Sequence, residues 1–595
     1  MKSFWPSAAF ALLLSAAAAL GQSPARSTLR IGLWTLWHDK QLTASPVPGA
    51  TAILRLCTTC PAVPLTQPTQ IQASAANALA PSLRVFPVAT TGNLDSRPAS
   101  ISLTGPVTLT AHGESLTLQN PIRITARNGE LILAVTLPIE SYVERVVASE
   151  SSPADGPESL KALAVVVRSF ALHDPHAHPG YDLCDSTHCQ LLHWSQPSAP
   201  RAAAHAATLS TAGETLWFHN QRATAWFHQN CGGRTASPQE AWPTRSHAAP
   251  PPTPWLISRA DPYCTANGPR EWSASLSLAD LTAALAAAGL VRPGWQTLTV
   301  GRRGESGRAV ELQIGPTQVS AEDFRLAVGR AMGWGKILST WFEVTRQSSP
   351  QGDQFVFHGR GSGHGVGLCQ AGAAAMSAQG RSYTQILAQY FSGATIADES
   401  TGRPWQSFQA QSLNLQSLIP ADATYLTQLA QALAEAESRS GLEVTAPITV
   451  RAFPSTTAFR DATLAPGWVA AFTEGNWIAT QPLSTLAARK LLAPILLHEF
   501  LHALVEQQAA PATSLWLREG LAELWSGPKP ATNTPSLKLG QLDHALAHAS
   551  TEAQSETAHR AAAWYAQRLL TRYGRPQVLT WLRTSLPASA QASVN

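Results

Sequence analysis

At 595 residues the chain exceeds what one hydrophobic core serves, so two or three domains are expected. Hydrophobic residues make up 44% and charged residues 13%, which excludes disorder as the main state. A formal charge of +4 is too small for this length to mark a nucleic-acid binder or a polybasic membrane anchor.

The first 21 residues read as a secretory signal, with Lys2, an apolar run from Ala8 to Leu20, and small residues at Ala19 and Gly21. That run is shorter than the ~20 apolar residues a membrane span needs. No later stretch is long enough, so the mature chain is expected in the periplasm, the cell envelope or outside the cell, with no membrane span. Export favours disulfides among Cys57, Cys60, Cys184, Cys189, Cys231, Cys264 and Cys369, and their odd number leaves at least one sulfur unpaired or bound to something else. Cys57-Thr-Thr-Cys60 lacks a redox fold pattern around it and reads as a local disulfide.

Residues 28–136 carry short β-like runs separated by Pro, Gly, Asn and Asp, which predicts a β-rich lead-in. The periodicity turns helical from Ile139 to Ala148 and from Glu158 to Leu172, the second helix carrying Lys161 and Arg168 among Ala, Val and Leu. Glu140, Glu144 and Glu150 fall in the first helix or at its end, and Pro153 breaks it just after Glu150. A carboxyl at such a junction can face a cleft, where partial desolvation raises its pKa toward the range of a general acid. The alternative is a solvated helix-end glutamate.

From His358 to Ala373 glycine recurs at 359, 361, 363, 365 and 367. No lysine and hydroxyl residue follow as in a P-loop, and the offsets are not those of a dinucleotide fingerprint. Arg360, His364 and Gln370 among the glycines point to a polar binding or catalytic loop. Residues 398–421 are polar and Gln/Ser-rich, a candidate linker.

Residues 422–595 differ in composition: a helix at 423–439, a strand at 448–453, an apolar helix ending in HEFLHALVE, and a helix at 557–573. On a helix, His498 and His502 share one face and can direct a ring nitrogen each at one metal ion, with Glu499 turned toward a bound water. A catalytic zinc takes a third protein ligand. Glu519, in WLREGLAEL, is the first choice, with Glu506 as the alternative and Glu523 one turn beyond Glu519. Tyr565 could assist an oxyanion, although a core or surface tyrosine is the simpler reading.

Residues 137–172, with DLCDSTHCQ, WFHQNCGGRT, DPYC and GRGSGHGVGLCQAGA, resemble the SpoIID/LytB family of sporulation stage II protein D and amidase-enhancer proteins, over about residues 120–400. The resemblance implies a peptidoglycan-acting domain at 137–397, with Glu150 as the catalytic glutamate of a lytic transglycosylase. Arg168, Arg360, His364 and Gln370 are then expected to contact sugar. It also implies zinc held by His178, Cys184 and Cys189, with a Cys184–Cys189 disulfide as competitor; a Cys231–Cys264 disulfide is plausible. Ser151 and Ala371 depart from the family pattern, which often has methionine and an aromatic there.

The C-terminal part resembles the gluzincin metallopeptidases, which implies a mainly helical zincin-like domain at 422–595. In it Glu499 is the general base, His498, His502 and Glu519 are zinc ligands, and Glu523 orients a ligand histidine. Together these give an α+β multidomain protein. Its expected partners are peptidoglycan glycan strands, a cell-wall amidase, and a peptide or protein substrate for the last domain. Two other functions fit the same residues: a glycan-binding amidase enhancer without catalysis, or a zinc peptidase with a cell-wall targeting module.

Overall fold

The computed structural model describes residues 27–594 other than 75–81, 87–97, 174–177, 196–197, 244–252, 267, 269, 350–351 and 528–534. The expected signal segment lies outside the described residues. Among the described residues no helix is long and apolar enough to cross a membrane.

The β-rich lead-in supplies six strands of a seven-stranded sheet and all of a five-stranded one. Alternation builds them: in Ile122–Arg127 the residues Ile122, Ile124 and Ala126 face inward while Arg123 and Arg127 are exposed. Leu29, Ile31, Ile71, Leu109, Ile124 and Val135 from both sheets join one core. The strand Glu130–Pro138 runs directly into the helix Ile139–Glu150, and Pro157–His173 follows it. At one edge the strand Thr28–Leu33 pairs in parallel with Leu183–Cys184, which brings the cysteine segment 184–189 toward these helices.

Residues 271–360 form an inserted unit with its own core of Leu276, Leu281, Phe324, Phe355 and Phe357. It is built on two three-stranded sheets, one of which ends at Arg360 and so leads straight into the glycine loop. The loop then returns to the main body through Leu368–Cys369, paired in parallel with Phe227–His228, and the helix Gln370–Ala378.

The polar stretch 398–421 does not act as a linker. Gln406–Ala410 and Leu413–Ser417 pair as a hairpin, and Leu413–Ser417 adds in parallel to Ile448–Ala452 inside a five-stranded sheet. The reason is alternation, since Leu413, Leu415 and Ser417 are buried while Asn414 and Gln416 lie between them. Helices Leu426–Ser440, Leu492–Gln508, Leu515–Ser526 and Glu552–Tyr573 complete this unit. It meets the preceding unit through a shared apolar cluster of Leu209, Ala212, Phe453 and Phe459, and through Arg451, whose Nη2 donates to Glu214 at 2.6 Å.

Candidate active site and metal centres

Glu150 is the last residue of its helix, with Ser151 as C-cap in extended conformation. The segment 190–194 lies along that helix, fastened by Tyr142 Oη donating to Gln190 (2.9 Å), Arg145 Nη1 to the Trp194 carbonyl (3.0 Å), and the His193 N–H to Ser149 Oγ (2.8 Å). This covering removes water from the Glu150 carboxyl, and burial pushes its pKa up to about 7 against a hydrogen bond from the Leu191 backbone. From the other side, Gln370 Nε2 donates to the Glu150 carbonyl at 3.1 Å. Glu150 and the glycine loop therefore meet.

The loop's glycines answer mainly to packing. Gly365 and Gly367 have φ of 85° and 75°, and a Cβ there would lie 2.5 Å from the Arg308 guanidinium and 2.1 Å from the Trp226 carbonyl. The loop is pressed against other chain segments where a side chain cannot fit.

Of the four expected sugar contacts, only Gln370 reaches Glu150. Arg168 is fully buried. Its Nε and Nη2 donate to the Glu140 carboxylate at 2.9 and 2.5 Å and Nη1 donates to the Glu214 carbonyl, so it is a structural cation and not a substrate ligand. Its inward helical face, lined by Ala and Val, is what places it there. His364 accepts the Val366 N–H at Nδ1 (3.1 Å) and bonds the Phe227 backbone with its other nitrogen. Its half-buried ring packs on Trp242 and His228, and desolvation holds its pKa well below the ordinary value, so it braces the loop as a neutral ring. Arg360 is exposed at the end of its strand, with its guanidinium 3.6 Å from the Trp341 ring centroid.

Beside the segment that covers Glu150, His178, Cys184, His188 and Cys189 bring ligand atoms within 4.8 Å of one another. His178 Nε2 is 3.2 Å from Cys189 Sγ, and the two sulfurs are 3.0 Å apart and not bonded as a disulfide. Two thiols and two imidazoles suit zinc. His188 was not anticipated, though it directly precedes Cys189. Cys57 and Cys60 are disulfide-bonded, whereas Cys231 and Cys264 are not.

In the C-terminal unit His498 and His502 aim Nε2 atoms at a common point, 3.0 Å apart. Glu519 Oε2 lies 3.6 Å from His502 Nε2 and 3.2 Å from Nε2 of His559, a residue the sequence did not single out because it comes from the distant helix Glu552–Tyr573. Coulombic attraction by His502 and the hydrogen bond to His559 outweigh burial and hold the Glu519 carboxyl down to about 2. Glu499 is buried, accepts from Thr473 Oγ1 at 2.5 Å, and is pushed upward by desolvation. His498 Nδ1 is 3.0 Å from Ser526 Oγ and 3.7 Å from Glu523. Two converging imidazoles beside one ionised carboxylate fit a divalent zinc. Glu506 is not among these donors, because it pairs with Arg518 at 2.8 Å. Tyr565 is a core residue whose hydroxyl donates to the Leu537 carbonyl.

A cavity of about 730 Å³ is lined by residues 38–43, 70 and 110–113 of the lead-in and includes none of these side chains.

In comparison with known proteins, residues 127–218 match the family described as Stage II sporulation protein, and residues 267–367 match a domain of unknown function. The second match coincides closely with the inserted unit. An uncharacterized protein of Brachyspira hyodysenteriae is 27% identical over 280 residues, covering 46% of this chain and 70% of that protein. Stage II sporulation protein D of Bacillus subtilis is 25% identical over 287 residues, 44% of this chain and 75% of its own length. The protein of the same name from Bacillus amyloliquefaciens is 25% identical over 278 residues, again 44% and 75%.

Proposed function

We propose that this chain acts at the cell wall by cleaving peptidoglycan glycan strands as a lytic transglycosylase, with Glu150 as its single acid and base. The observation that carries this reading is the Glu150 carboxyl, desolvated by the 190–194 segment, raised to about 7, and joined through its backbone to Gln370 of the glycine loop. The likeness of residues 127–218 to the Stage II sporulation protein family supports it.

One carboxyl suffices for this chemistry, whereas hydrolytic glycosidases usually need two. Protonated Glu150 gives its proton to the glycosidic oxygen as the bond from that oxygen to C1 breaks. The C6 hydroxyl oxygen of the same muramic acid bonds to C1, and the Glu150 carboxylate takes the hydroxyl proton. The product is a 1,6-anhydro ring, Glu150 ends protonated as it began, and no water is consumed. A pKa near neutrality suits a group that must give and take a proton in one cycle.

The test is mass spectrometry of glycan strands digested by the purified protein. Anhydro-muramic products that vanish in Glu150→Gln support the reading. Bound but uncut glycan with the unaltered protein would instead make this a non-catalytic amidase enhancer.

A second activity rests on the 3.0 Å approach of His498 Nε2 to His502 Nε2. With Glu519 these residues would hold zinc, which supplies Lewis-acid activation of water. Glu499, buried beside Thr473, would hold the proton taken from that water, as in a metallopeptidase. Zinc content and peptide hydrolysis, compared between the unaltered protein and His498→Ala, test this reading.

A further inference from the structure

We propose that Cys231, Asp261, Cys264 and Cys369 form a second cysteine-rich metal site, a structural zinc centre buried beneath the glycine loop and separate from Glu150.

Three segments far apart in sequence deliver these groups, with Asp261 and Cys264 sharing one turn. Their ligand atoms all lie within 4.8 Å of one another and all four residues are buried. Three sulfurs and one carboxylate oxygen are a tetrahedral donor set for zinc. None of the three cysteines is disulfide-bonded, and a disulfide between any two would leave the third thiol buried beside Asp261.

Backbone amides point at the sulfurs. The Gly233 N–H lies 3.4 Å from Cys231 Sγ, and Cys369 Sγ receives the N–H of Cys231 at 3.2 Å and of Gly372 at 3.5 Å. Cys264 Sγ faces the thiols of Cys231 and Cys369 and the N–H groups of Gly232 and Cys231. Such amides stabilise sulfur anions better than neutral thiols. Asp261 is oriented in the same way, by the Cys264 N–H at 3.1 Å and the Tyr390 hydroxyl at 2.9 Å, which fixes a ligand oxygen as outer hydrogen bonds do in metal centres.

Charge supplies an independent observation. Arg308 is fully buried and donates to the carbonyls of Cys231 (3.0 Å) and Gly363 (3.2 Å). Its Nε has no hydrogen-bond partner. Arg308 has no ion pair among the described residues, and a buried cation so placed is costly. Three thiolates and a carboxylate around one divalent ion carry a net charge of about −2, which Arg308 would offset in part. On binding, the three thiols release their protons to solvent.

The position gives the ion a purpose. Cys369 caps the helix Gln370–Ala378, and Gln370 is the residue that holds the Glu150 carbonyl. A metal here would pin the loop, the 227–235 segment and the 261–264 turn together, and so fix Gln370 against Glu150.

The experiment uses the full chain with Cys184→Ser, Cys189→Ser and His498→Ala combined, equilibrated with zinc chloride and dialysed, so that the Cys231 cluster is left as the sole intact site. Elemental analysis is expected to find one zinc per chain, and a zinc-free folded protein would overturn the proposal. Alkylation of the unaltered protein, denatured without reductant, should label Cys231, Cys264 and Cys369. A disulfide-linked peptide joining any two of them would overturn it as well. Neither readout depends on whether Glu150 cleaves glycan.

Discussion

Gln370 Nε2 donates to the Glu150 carbonyl at 3.1 Å, across 220 positions of sequence. This one bond joins the glycine loop to the helix that presents the carboxyl, and it acts on the backbone, not on the carboxyl. Gln370 is a positioning residue. Gln370→Ala should cost about 1 kcal/mol of stability and lower kcat roughly tenfold with little change in KM. Steady-state kinetics on glycan strands would show the split, and a change in KM alone would place Gln370 in substrate binding.

Replacing the acid itself should be far more severe. Glu150→Gln keeps shape but cannot protonate the leaving oxygen, so cleavage should fall by about 10²- to 10⁴-fold. Binding to sacculi, measured by pull-down, should persist.

The raised carboxyl also sets pH dependence. The proposed cleavage needs Glu150 protonated at the outset, so its rate should decline as pH rises through about 7, the value burial imposes on this group. Stability follows the same direction. A carboxyl whose folded pKa exceeds its unfolded pKa contributes fully below the unfolded value, near 4.5, and loses that contribution as pH rises to about 7. Glu150→Gln should therefore be more stable than the unaltered protein at pH 8, by up to about 3 kcal/mol, and should show no such gain at pH 4. Denaturant melts at the two pH values measure this.

Arg168 and Glu140 form a fully buried ion pair. Arg168→Ala strands the Glu140 carboxylate and should cost about 3–5 kcal/mol. Replacing both residues by apolar ones of similar volume should recover most of that loss. Unfolding curves for the single and double variants give the comparison.

In the C-terminal unit, chelation or His498→Ala should remove one zinc equivalent per chain. His502→Ala should do the same, since both imidazoles face the same point. Metal analysis of each variant beside the unaltered protein tests this, and an unchanged zinc count in both variants would refute the site.

How much of this was legible depended on whether the relevant order was local. The helix at 157–173 follows from its apolar periodicity, and the end of the 139–150 helix from Pro153 three residues on. The shared face of His498 and His502 follows from four-residue spacing. The hairpin at 406–417 was missed because its alternation is short and its outward residues are the Gln and Asn that also mark loops. Arg168 was misread as a sugar ligand because a cation in an apolar helix has no visible partner until Glu140 is folded against it. The backbone partners of His364 could not be read from the sequence, because backbone groups carry no residue signature.

The chain by itself determined its local grammar: where helices begin and break, which glycines can take left-handed angles, and which two histidines share a helix face. Those are consequences of dihedral preference and of periods of 2 and 3.6 residues, and they need nothing beyond a few neighbours. Tertiary structure alone decided which groups share an environment: Glu150 under the 190–194 segment, His559 against Glu519, and three cysteines with Asp261 around one point. Desolvation, charge pairing and metal geometry depend on distances of a few ångströms between residues tens to hundreds of positions apart, and only the folded chain sets those distances.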